Sequence, residues 1–366
     1  MPGIKAVVMA GGKGTRLRPI TYSIPKPLVP IAGKPCIGYI LDSYYSAGIR
    51  DAIITTGYKF ESLITGVLKY KQNDLSVLFS VEPEPAGTAG SVKLVSRFLD
   101  QTFIVGSGDI LSDFRIEELL RFHRERKADV TIALTKVDDP SQFGIVETED
   151  GRIVRFLEKP SREETFSNTI NAGMYVIEPK ILDEIPDGEP YDFAKQLFPR
   201  LIKEGYSVMG YECPGTWLDT GRPHDMIKAN QMMVSKYGAE VSGESVSGRV
   251  IIKTGLHLLA NTRIKGPAYI GEGVKIGRNS VIEASAIYDG TVIGEGVQVR
   301  NSILMDNVRV LDRTTVSGSV IMRNTTIGEE CEISDSVLAP HLNLQSRSRI
   351  YNVSLSSEVE EEENSD

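Results

Sequence analysis

The sequence has 366 residues, a hydrophobic share of 41%, a charged share of 25% and a formal net charge of −8. Such a chain is long enough for about two domains with separate cores, and its composition is that of an ordinary soluble protein. The acidic balance argues against a nucleic-acid-coating protein, and no apolar run is long enough to span a membrane, so we predict neither partner.

The three cysteines, Cys36, Cys213 and Cys331, stand far apart and form no metal-binding spacing. Because their number is odd, a disulfide framework is not expected. The first residues, MPGIKAVVMAGG, do not have the pattern of a secretory signal peptide. We therefore expect a cytoplasmic protein, whose compartment keeps thiols reduced.

Short apolar runs alternate with helical patterns from Ile4 to about residue 232, which predicts an α/β domain with a mainly parallel sheet. Residues 114–127 carry apolar side chains and His123 on one helical face, so we predict a helix there with His123 inside the apolar stripe. Asp113 is well placed to cap this helix. The runs predicted as strands are 6–9, 52–55, 77–79, 103–105, 130–134 and 173–177.

Residues 11–35, GGKGTRLRPITYSIPKPLVPIAGKP, directly follow the first predicted strand and contain five basic residues and five prolines. Proline disfavours helix interiors and central strands, so we predict an ordered loop. Glycines let a phosphate approach backbone amides, and Lys and Arg add further donors. Neither GxxxxGK[ST] nor GxGxxG fits, because Gly14 follows Lys13 and Leu17 replaces the third glycine. An ordinary tight turn is the alternative.

Residues 233–248 lack apolar runs and are predicted as a linker. Beyond them aliphatic residues recur every sixth position, and serine-led apolar pairs recur every 17 residues. This period predicts a β-solenoid over residues 249–352 rather than a β-sandwich, and the acid-rich residues 353–366 are predicted to be a disordered tail. The recurring residues are Ile252, Leu258, Ile264, Ile270, Ile276 and Ile282, then Ser285, Ser302, Ser319 and Ser336.

Residues 11–35 resemble the signature loop of the sugar-1-phosphate nucleotidylyltransferases, and other motifs of that family follow in its order. Within the family the chain is most similar to mannose-1-phosphate guanylyltransferases. The resemblance implies a Rossmann-like nucleotidyltransferase domain with a mixed, mainly parallel sheet over residues 1–232, followed by a left-handed parallel β-helix. The further motifs are EPEPAGTAG (82–90), GDILSDF (108–114), TKVDDPSQFGIV (135–146), FLEKP (156–160), INAGMYVIEP (170–179) and TWLDTG (216–221).

The implied reaction is attack of a sugar-1-phosphate on the α-phosphorus of a nucleoside triphosphate, which releases pyrophosphate. A phosphate monoester is mostly dianionic at pH 7 because its second pKa is about 6, so no general base is needed. The site must instead align the substrates and neutralise their charge. The resemblance makes Arg16, Lys26 and Asp109 catalytic and makes Asp109 and Asp219 the ligands of Mg²⁺.

The resemblance also assigns the binding residues. The nucleotide is bound by Gly11, Gly12, Gly14, Thr15, Arg16, Gly87 and Thr88, and the sugar phosphate by Gly144, Glu158, Lys159 and Asn171. Each assignment has a structural alternative: Lys26 could be a solubilising surface residue, Asp219 a turn residue, and Glu158 with Lys159 a surface ion pair. Trp217 is expected to be a core anchor rather than a substrate contact.

Two other functions stay open from the sequence. One is a thymidylyl- or uridylyltransferase that acts on glucose-1-phosphate, and the other is a catalytically silent regulatory subunit that senses a nucleotide sugar. An acyltransferase activity of the solenoid is disfavoured because no motif surrounds His257 or His341. The stacked coils also suggest a homo-oligomer formed through the β-helix.

Overall fold

The computed structural model describes residues 3–356, which form two compact units. The first unit contains the chain up to Lys13 and then Cys36–Asp219, and the second contains Gly14–Pro35 and the chain from Thr220 onward. The segment of residues 14–35, here named the proline-rich loop, therefore belongs to the second unit. This differs from the predicted contiguous domain of residues 1–232. Of the predicted tail, residues 357–366 lie outside the described residues.

Strands and helices alternate as predicted up to about residue 126, but four strands then follow one another between residues 130 and 177 without an intervening α-helix. The strands are β1 (Lys5–Met9), β2 (Pro30–Ile31), β3 (Lys34–Pro35), β4 (Asp51–Thr56), β5 (Ser76–Val81), β6 (Phe103–Ser107), β7 (Ile110–Ser112), β8 (Val130–Lys136), β9 (Gly144–Glu149), β10 (Arg152–Glu158), β11 (Thr169–Ile177), β12 (Val208–Glu212) and β13 (Trp217–Asp219). The α-helices are α1 (Ile20–Ser23), α2 (Cys36–Ser46), α3 (Phe60–Tyr70), α4 (Gly87–Lys93), α5 (Ile116–Arg126), α6 (Phe198–Lys203) and α7 (Pro223–Tyr237).

The first unit is built on a nine-stranded mixed sheet in the order β5-β4-β1-β6-β11-β8-β12-β10-β9. Strands β5, β4, β1 and β6 run parallel. In the other half β8 and β12 are parallel, whereas β11 and β10 run antiparallel to their neighbours. The predicted mixed α/β sheet is confirmed, but antiparallel pairs are more prominent in it than the sequence suggested.

One face of this sheet is covered by a continuous apolar core. It includes Val7, Phe103 and Val105 from the sheet, and Phe193 and Phe198 from the helical segment that leads into α6. The predicted amphipathic helix is α5, and Ile116, Leu119, Leu120 and His123 are its buried residues. These contacts hold the parallel strands so that β1, β6 and β5 end near the glycine-rich, GDILSDF and EPEPAGTAG motifs.

The second unit contains a parallel β-helix. Its register stacks Ile282, Val299, Val316 and Ile333 on successive coils, which confirms the repeat of 17 residues. The strands are β14 (Ala239–Ser242), β15 (Val246–Ile252), β16 (His257–Leu258), β17 (Arg263–Lys265), β18 (Ala268–Ile270), β19 (Lys275–Ile276), β20 (Val281–Glu283), β21 (Ala286–Ile287), β22 (Val292–Ile293), β23 (Gln298–Arg300), β24 (Ile303–Leu304), β25 (Arg309–Val310), β26 (Thr315–Ser317), β27 (Val320–Ile321), β28 (Thr326–Ile327), β29 (Glu332–Ser334), β30 (Val337–Leu338), β31 (Asn343–Leu344), β32 (Arg349–Tyr351) and β33 (Ser354–Leu355).

The residues predicted as a linker, 233–248, are folded. Helix α7 continues to Tyr237, and β14 then pairs antiparallel with β15 at the start of the β-helix. Their polar composition reflects a solvent-facing first turn of the solenoid rather than a flexible connection. Ile252 is 39% exposed, unlike Ile270 beside it, because its coil is at the end of the stack.

None of the helices within residues 3–356 combines the length and the apolar character needed to cross a lipid bilayer.

Candidate active site

The two predicted metal ligands, Asp109 and Asp219, are brought together by a short antiparallel ladder. Asp109 lies in the turn between β6 and β7, and Asp219 is the last residue of β13. In the ladder of β7 with β13, Asp219 is opposite Ile110, the residue that follows Asp109. Opposed residues in such a ladder have Cα atoms about 4.5–5.5 Å apart. Two acids that are distant in sequence are thus neighbours in this unit.

Asp113 and Trp217 fix this ladder in place. The amide of Thr216 donates to Asp113 Oδ1 over 2.6 Å, and the indole nitrogen of Trp217 donates to the Ala172 carbonyl over 2.9 Å. The prediction that Asp113 caps α5 is wrong, because that helix begins after Arg115 without a side-chain cap and the carboxylate binds the Thr216 amide, just before β13. Trp217 was expected to be a core anchor, but it is only half-buried, with its ring packed edge-on against Phe143.

The donor set at this ladder fits magnesium. It consists of the carboxylates of Asp109 and Asp219. The Ser107 hydroxyl donates to Asp109 Oδ1 and so helps to orient the Asp109 carboxylate. Within residues 3–356 no cluster of three or more His, Cys, Asp or Glu side chains is arranged to hold a metal. Mg²⁺ typically takes one or two protein carboxylates and completes its octahedron with water and substrate phosphates, whereas a structural zinc site would need four ligands.

The predicted sugar-phosphate residues Gly144, Glu158 and Lys159 lie together at one end of the β9–β10 hairpin. Gly144 pairs with Glu158 across the ladder, and the Lys159 amide donates to the Phe143 carbonyl over 3.0 Å. A Cβ on residue 144 would lie 2.7 Å from Glu158 Oε2 and from Phe156 Cζ, so a larger residue would displace one of these side chains. Lys159 has a left-handed backbone with φ of 49°, a strained conformation that often marks functional positions.

The electrostatics of Glu158 differ from those of a surface ion pair. Burial raises the pKa of the Glu158 carboxyl above its usual value, and the nearby ammonium groups of Lys159 and Lys195 partly offset this rise. No hydrogen bond or ion pair joins Glu158 to Lys159 among the contacts of the described residues. Glu158 and Lys159 therefore do not form the surface ion pair that was the structural alternative.

Asn171 lies on β11, close to the ladder of β7 with β13. Its Nδ2 donates to the Tyr175 hydroxyl over 3.0 Å, and its Oδ1 accepts from the Gly173 amide over 2.9 Å. Both contacts span a bulge in the pairing of β11 with β8. Since Trp217 binds the carbonyl of Ala172, the next residue, Asn171 is tied to the ladder that carries Asp219.

The EPEPAGTAG segment is held by residues 191–193. The amides of Ala89 and Gly90 both donate to the Tyr191 carbonyl, and the Tyr191 amide donates to the Ala86 carbonyl. The Thr88 hydroxyl donates to Asp192 Oδ1 over 2.9 Å and accepts from the Phe193 amide. Gly87 is the first residue of α4. Thr88 therefore shapes this segment through its hydroxyl, which already has two partners.

Glu82, the first residue of the same segment, is a candidate that the sequence reasoning missed. It is only 8% exposed, and its Oε1 has no hydrogen-bond partner in the described part of the chain. Its Oε2 accepts a long hydrogen bond of 3.4 Å from the Ala86 amide, and Gly11 lies beside Oε1. Glu82 directly follows a parallel strand, and ligands bind at the carboxyl ends of such strands, so its position could have identified it. The sequence alone does not show that the Glu82 carboxylate is buried.

The glycine-rich segment crosses from one unit into the other. Gly11 and Gly12 follow β1 in the first unit, and a side chain at Gly12 would point into open space. Gly14 begins the proline-rich loop, where its carbonyl accepts hydrogen bonds from the Leu17 amide and the Thr21 hydroxyl, each over 3.0 Å. Nucleotide phosphates could therefore reach the backbone at Gly12 without a steric obstacle.

The residues of the proline-rich loop that were predicted to bind the nucleotide or act in catalysis differ in exposure. Thr15 and Arg16 are exposed in a 3₁₀ turn, while Lys26 is only 6% exposed in a second such turn, Lys26–Leu28. A solubilising role for Lys26 is excluded by this burial. A buried lysine needs anionic or polar partners, unlike a lysine on the surface.

Known proteins resemble this chain over both of its predicted domains. A model of the nucleotidyl transferase family matches residues 5–236, and a model described as the GMPPB C-terminal domain matches residues 264–362. The chain is 35% identical over 295 residues to a mannose-1-phosphate guanylyltransferase of Mycobacterium tuberculosis, covering 78% of this chain and 80% of the relative. It is also 35% identical over 288 residues to a probable mannose-1-phosphate guanylyltransferase 2 of Arabidopsis thaliana, covering 75% and 76%.

Solved structures share the fold of about two thirds of the chain. A putative glucose-1-phosphate thymidylyltransferase from Bacillus anthracis, crystallised with sucrose, superposes with a TM-score of 0.58 at 24% identity, covering 63% of this chain and 95% of that structure. HddC from Yersinia pseudotuberculosis, complexed with GMP-PN, has a TM-score of 0.55 at 27% identity and covers 63% and 99%.

Proposed function

The chain belongs to the nucleotidyl transferase family, and from this membership we propose that it makes GDP-mannose from GTP and mannose-1-phosphate. The pairing of β7 with β13, which brings Asp109 beside Asp219, is the observation that carries the proposal. A silent subunit would be expected to lack a metal or phosphate ligand. This chain has Arg16, Lys26 and Lys159 as well as the two acids.

The reaction forms one phosphorus–oxygen bond and breaks another. An oxygen of the sugar phosphate attacks the α-phosphorus of GTP, and the bond to the β-phosphate oxygen breaks to release pyrophosphate. Arg16 binds the β- and γ-phosphates, where a planar guanidinium can contact two oxygens, and Lys26 binds near the α-phosphate. When bound by Asp109 and Asp219, Mg²⁺ supplies further neutralisation of phosphate charge.

The sugar phosphate is oriented by residues of the first unit. The Lys159 ammonium binds its phosphate, and Glu158 accepts a hydrogen bond from a sugar hydroxyl. Asn171 holds its own amide in place through Tyr175 and Gly173. Because these groups are fixed by β-ladders, they restrict the attacking oxygen to a narrow range of directions, which lowers the entropic part of the barrier.

Glu82 supplies a physical basis for the choice of guanine. A carboxylate only accepts hydrogen bonds, and guanine presents two adjacent donors, N1–H and N2–H₂, on its Watson–Crick edge. Uracil and thymine present a single N3–H between two carbonyl oxygens, which the carboxylate would repel. A buried acceptor without a partner is costly, so a site of this kind discriminates strongly against a base that lacks the donors.

The assay is release of pyrophosphate by the purified protein with Mg²⁺, five nucleoside triphosphates and a panel of sugar-1-phosphates. GTP with mannose-1-phosphate is expected to give the highest kcat/KM, and Asp109→Asn is expected to abolish turnover while the circular dichroism spectrum is unchanged. If no substrate pair exceeds the control without enzyme, the protein is a sensor rather than a catalyst. Preference for dTTP or UTP with glucose-1-phosphate would contradict the guanylyltransferase assignment.

Magnesium as the physiological ion, a cytoplasmic location and self-association are parts of the same proposal. The three cysteines are buried thiols, in keeping with a reducing compartment. The stacked coils of the β-helix, with exposed side chains such as Leu259 and Leu311, support the hypothesis of association between copies. Light scattering that shows a monomer at every concentration would contradict self-association.

A further inference from the structure

We propose that the β-helix positions the proline-rich loop for catalysis, with Asn230, Tyr269 and Tyr288 as the positioning residues. This inference rests on the proposed function, because it takes Arg16 and Lys26 of that loop as the groups that bind the nucleotide phosphates. All of these residues belong to the second unit. The β-helix would then influence the reaction indirectly, through the position of this loop.

Asn230 on α7 links the loop to the β-helix through its amide. Its Oδ1 accepts hydrogen bonds from the Ala32 amide and from the Tyr288 hydroxyl, each over 2.8 Å. Its Nδ2 donates to the Met226 carbonyl over 2.9 Å and to the Pro30 carbonyl over 3.3 Å. Asn230 is 2% exposed. A buried amide with all these partners fixes the loop backbone on either side of Ile31.

Tyr269 holds the turn of the same loop by direct packing. Gly33 has φ of 83°, and a Cβ at this position would lie 2.7 Å from the Tyr269 ring. The ring of Tyr269 in turn packs against that of Tyr288, with centroids 5.0 Å apart. The two tyrosines stand on successive coils, since Tyr269 is in β18 and Tyr288 directly follows β21. The stack of coils thus sets the position of the β2–β3 turn.

An apolar cluster extends this contact along the whole loop. From the loop, its buried members include Leu17, next to Arg16, and Val29, three residues after Lys26. From later coils they include Ile303 and Val320, whose side chains lie outside the interior core of the β-helix. The loop has only single turns of helix and a two-residue hairpin of its own. Elements this short are marginal by themselves, so their geometry depends on what they pack against.

Tyr288→Phe tests the proposal because it removes one hydroxyl and keeps the ring. We expect kcat/KM for GTP to fall about tenfold, since small displacements of phosphate-binding groups are costly, while KM for mannose-1-phosphate stays within about twofold. Backbone hydrogen exchange in residues 29–35 should be about tenfold faster. Asn230→Ala should produce the same pattern with a larger effect.

Tyr44→Phe is the matched control, because Tyr44 is a buried tyrosine of the first unit whose hydroxyl has no hydrogen-bond partner in the described residues. It should leave kinetics and exchange unchanged. Faster exchange in residues 29–35 with unaltered GTP kinetics in Tyr288→Phe would show a merely structural contact and overturn the proposal. Unaltered exchange would overturn it as well. If the wild type has no turnover, the proposed function fails, and equilibrium GTP binding by the wild type and Tyr288→Phe still decides the positioning role.

Discussion

Glu82 is a buried carboxylate whose Oε1 has no hydrogen-bond partner in the described chain, and Glu82→Gln changes its acceptor pattern with little change in shape. We predict that kcat/KM for GTP falls about a hundredfold, because one of the two guanine donors then faces an amide NH₂. The relative rate with UTP should rise, since a glutamine can pair with both a donor and a carbonyl.

Pyrophosphate release with GTP and UTP measures this change in specificity. Glu84→Gln is the control, because Glu84 is an exposed carboxylate two residues away. If Glu82→Gln keeps the wild-type ratio of GTP to UTP, Glu82 does not read the base.

For single residues, the sequence predicted the place of a residue within a strand or turn better than it predicted which groups surround its side chain. The strand-end locations of Asp109 and Asp219 follow from apolar runs, yet their neighbourhood depends on the pairing of β7 with β13. Asp113 was predicted to cap a helix, but a partner about a hundred residues away, Thr216, binds its carboxylate. Such long-range hydrogen bonds have no local signal in the chain.

Helix α5 packs on β8 through a buried histidine that makes stability depend on pH. His123 Nδ1 lies 2.8 Å from Thr131 Oγ1, and Nε2 lies 3.1 Å from Glu178 Oε1. Burial lowers the pKa of His123 below its ordinary value of 6.5, although Glu178 opposes this shift. The unfolded chain therefore takes up the proton at a higher pH than the folded protein does.

We predict that the free energy of unfolding falls as pH drops below 6.5 towards the lower pKa of the folded state. The slope from this group is at most about 1.4 kcal/mol per pH unit, and it vanishes well above the unfolded pKa. Urea unfolding at pH 7.5 and 5.5 should show a smaller loss for His123→Gln than for the wild type. An exposed control, His224→Gln, should behave as the wild type does. Equal losses in the wild type and in His123→Gln would contradict this assignment.

The β-helix is stabilised by a ladder of buried serines at one corner. Ser319 Oγ accepts from the Ser336 amide over 3.1 Å and donates to the Ser317 carbonyl over 2.7 Å. Ser285 and Ser302 repeat this pattern one coil apart. Each hydroxyl thus satisfies a backbone amide that the neighbouring coil would otherwise bury without a partner.

Ser319→Ala should lower the free energy of unfolding by about 1–3 kcal/mol, because the Ser336 amide loses its acceptor. Denaturant unfolding followed by circular dichroism measures the change. Ser354→Ala, at an exposed position of β33, should be nearly neutral. Equal stability of Ser319→Ala and the wild type would mean that the corner amides do not need these hydroxyls.

Helices and strands whose apolar residues recur at a strict period could be predicted from the sequence. The direction of strands that pair with distant parts of the chain could not. The coil repeat of 17 residues and the apolar face of α5 follow from spacing alone. The direction of β10 and β11 does not, although the Asp150-Gly151 pair is a hairpin signal that could have located the β9–β10 turn. The first turn of the solenoid was mistaken for a linker because its residues are polar.

Over the whole molecule, the largest departure from the sequence prediction is the discontinuity of the two units. The proline-rich loop was assigned to the α/β domain because it follows the first strand. It instead shares an apolar cluster with α7 and the β-helix, through residues such as Leu17, Ile20 and Met305. The loop has no helix or strand period, so its apolar residues gave no indication of their partners.

The central claim for the whole molecule is that Asp109 and Asp219 bind one divalent ion in the substrate complex. Mn²⁺ can replace Mg²⁺ and is detected directly by electron paramagnetic resonance. A titration of Mn²⁺ into the complex with GTP gives the affinity for wild type, Asp109→Asn, Asp219→Asn and the exposed control Asp187→Asn. The double variant Asp109→Asn/Asp219→Asn is titrated in the same way, and each of the five proteins should first be shown to keep its fold by circular dichroism.

We predict at least about a tenfold loss of Mn²⁺ affinity in both Asp109→Asn and Asp219→Asn, and no change in Asp187→Asn. The double variant should lose less than the product of the single losses, because both groups contact the same ion. Wild-type Mn²⁺ affinity in a well-folded Asp219→Asn would contradict the shared site.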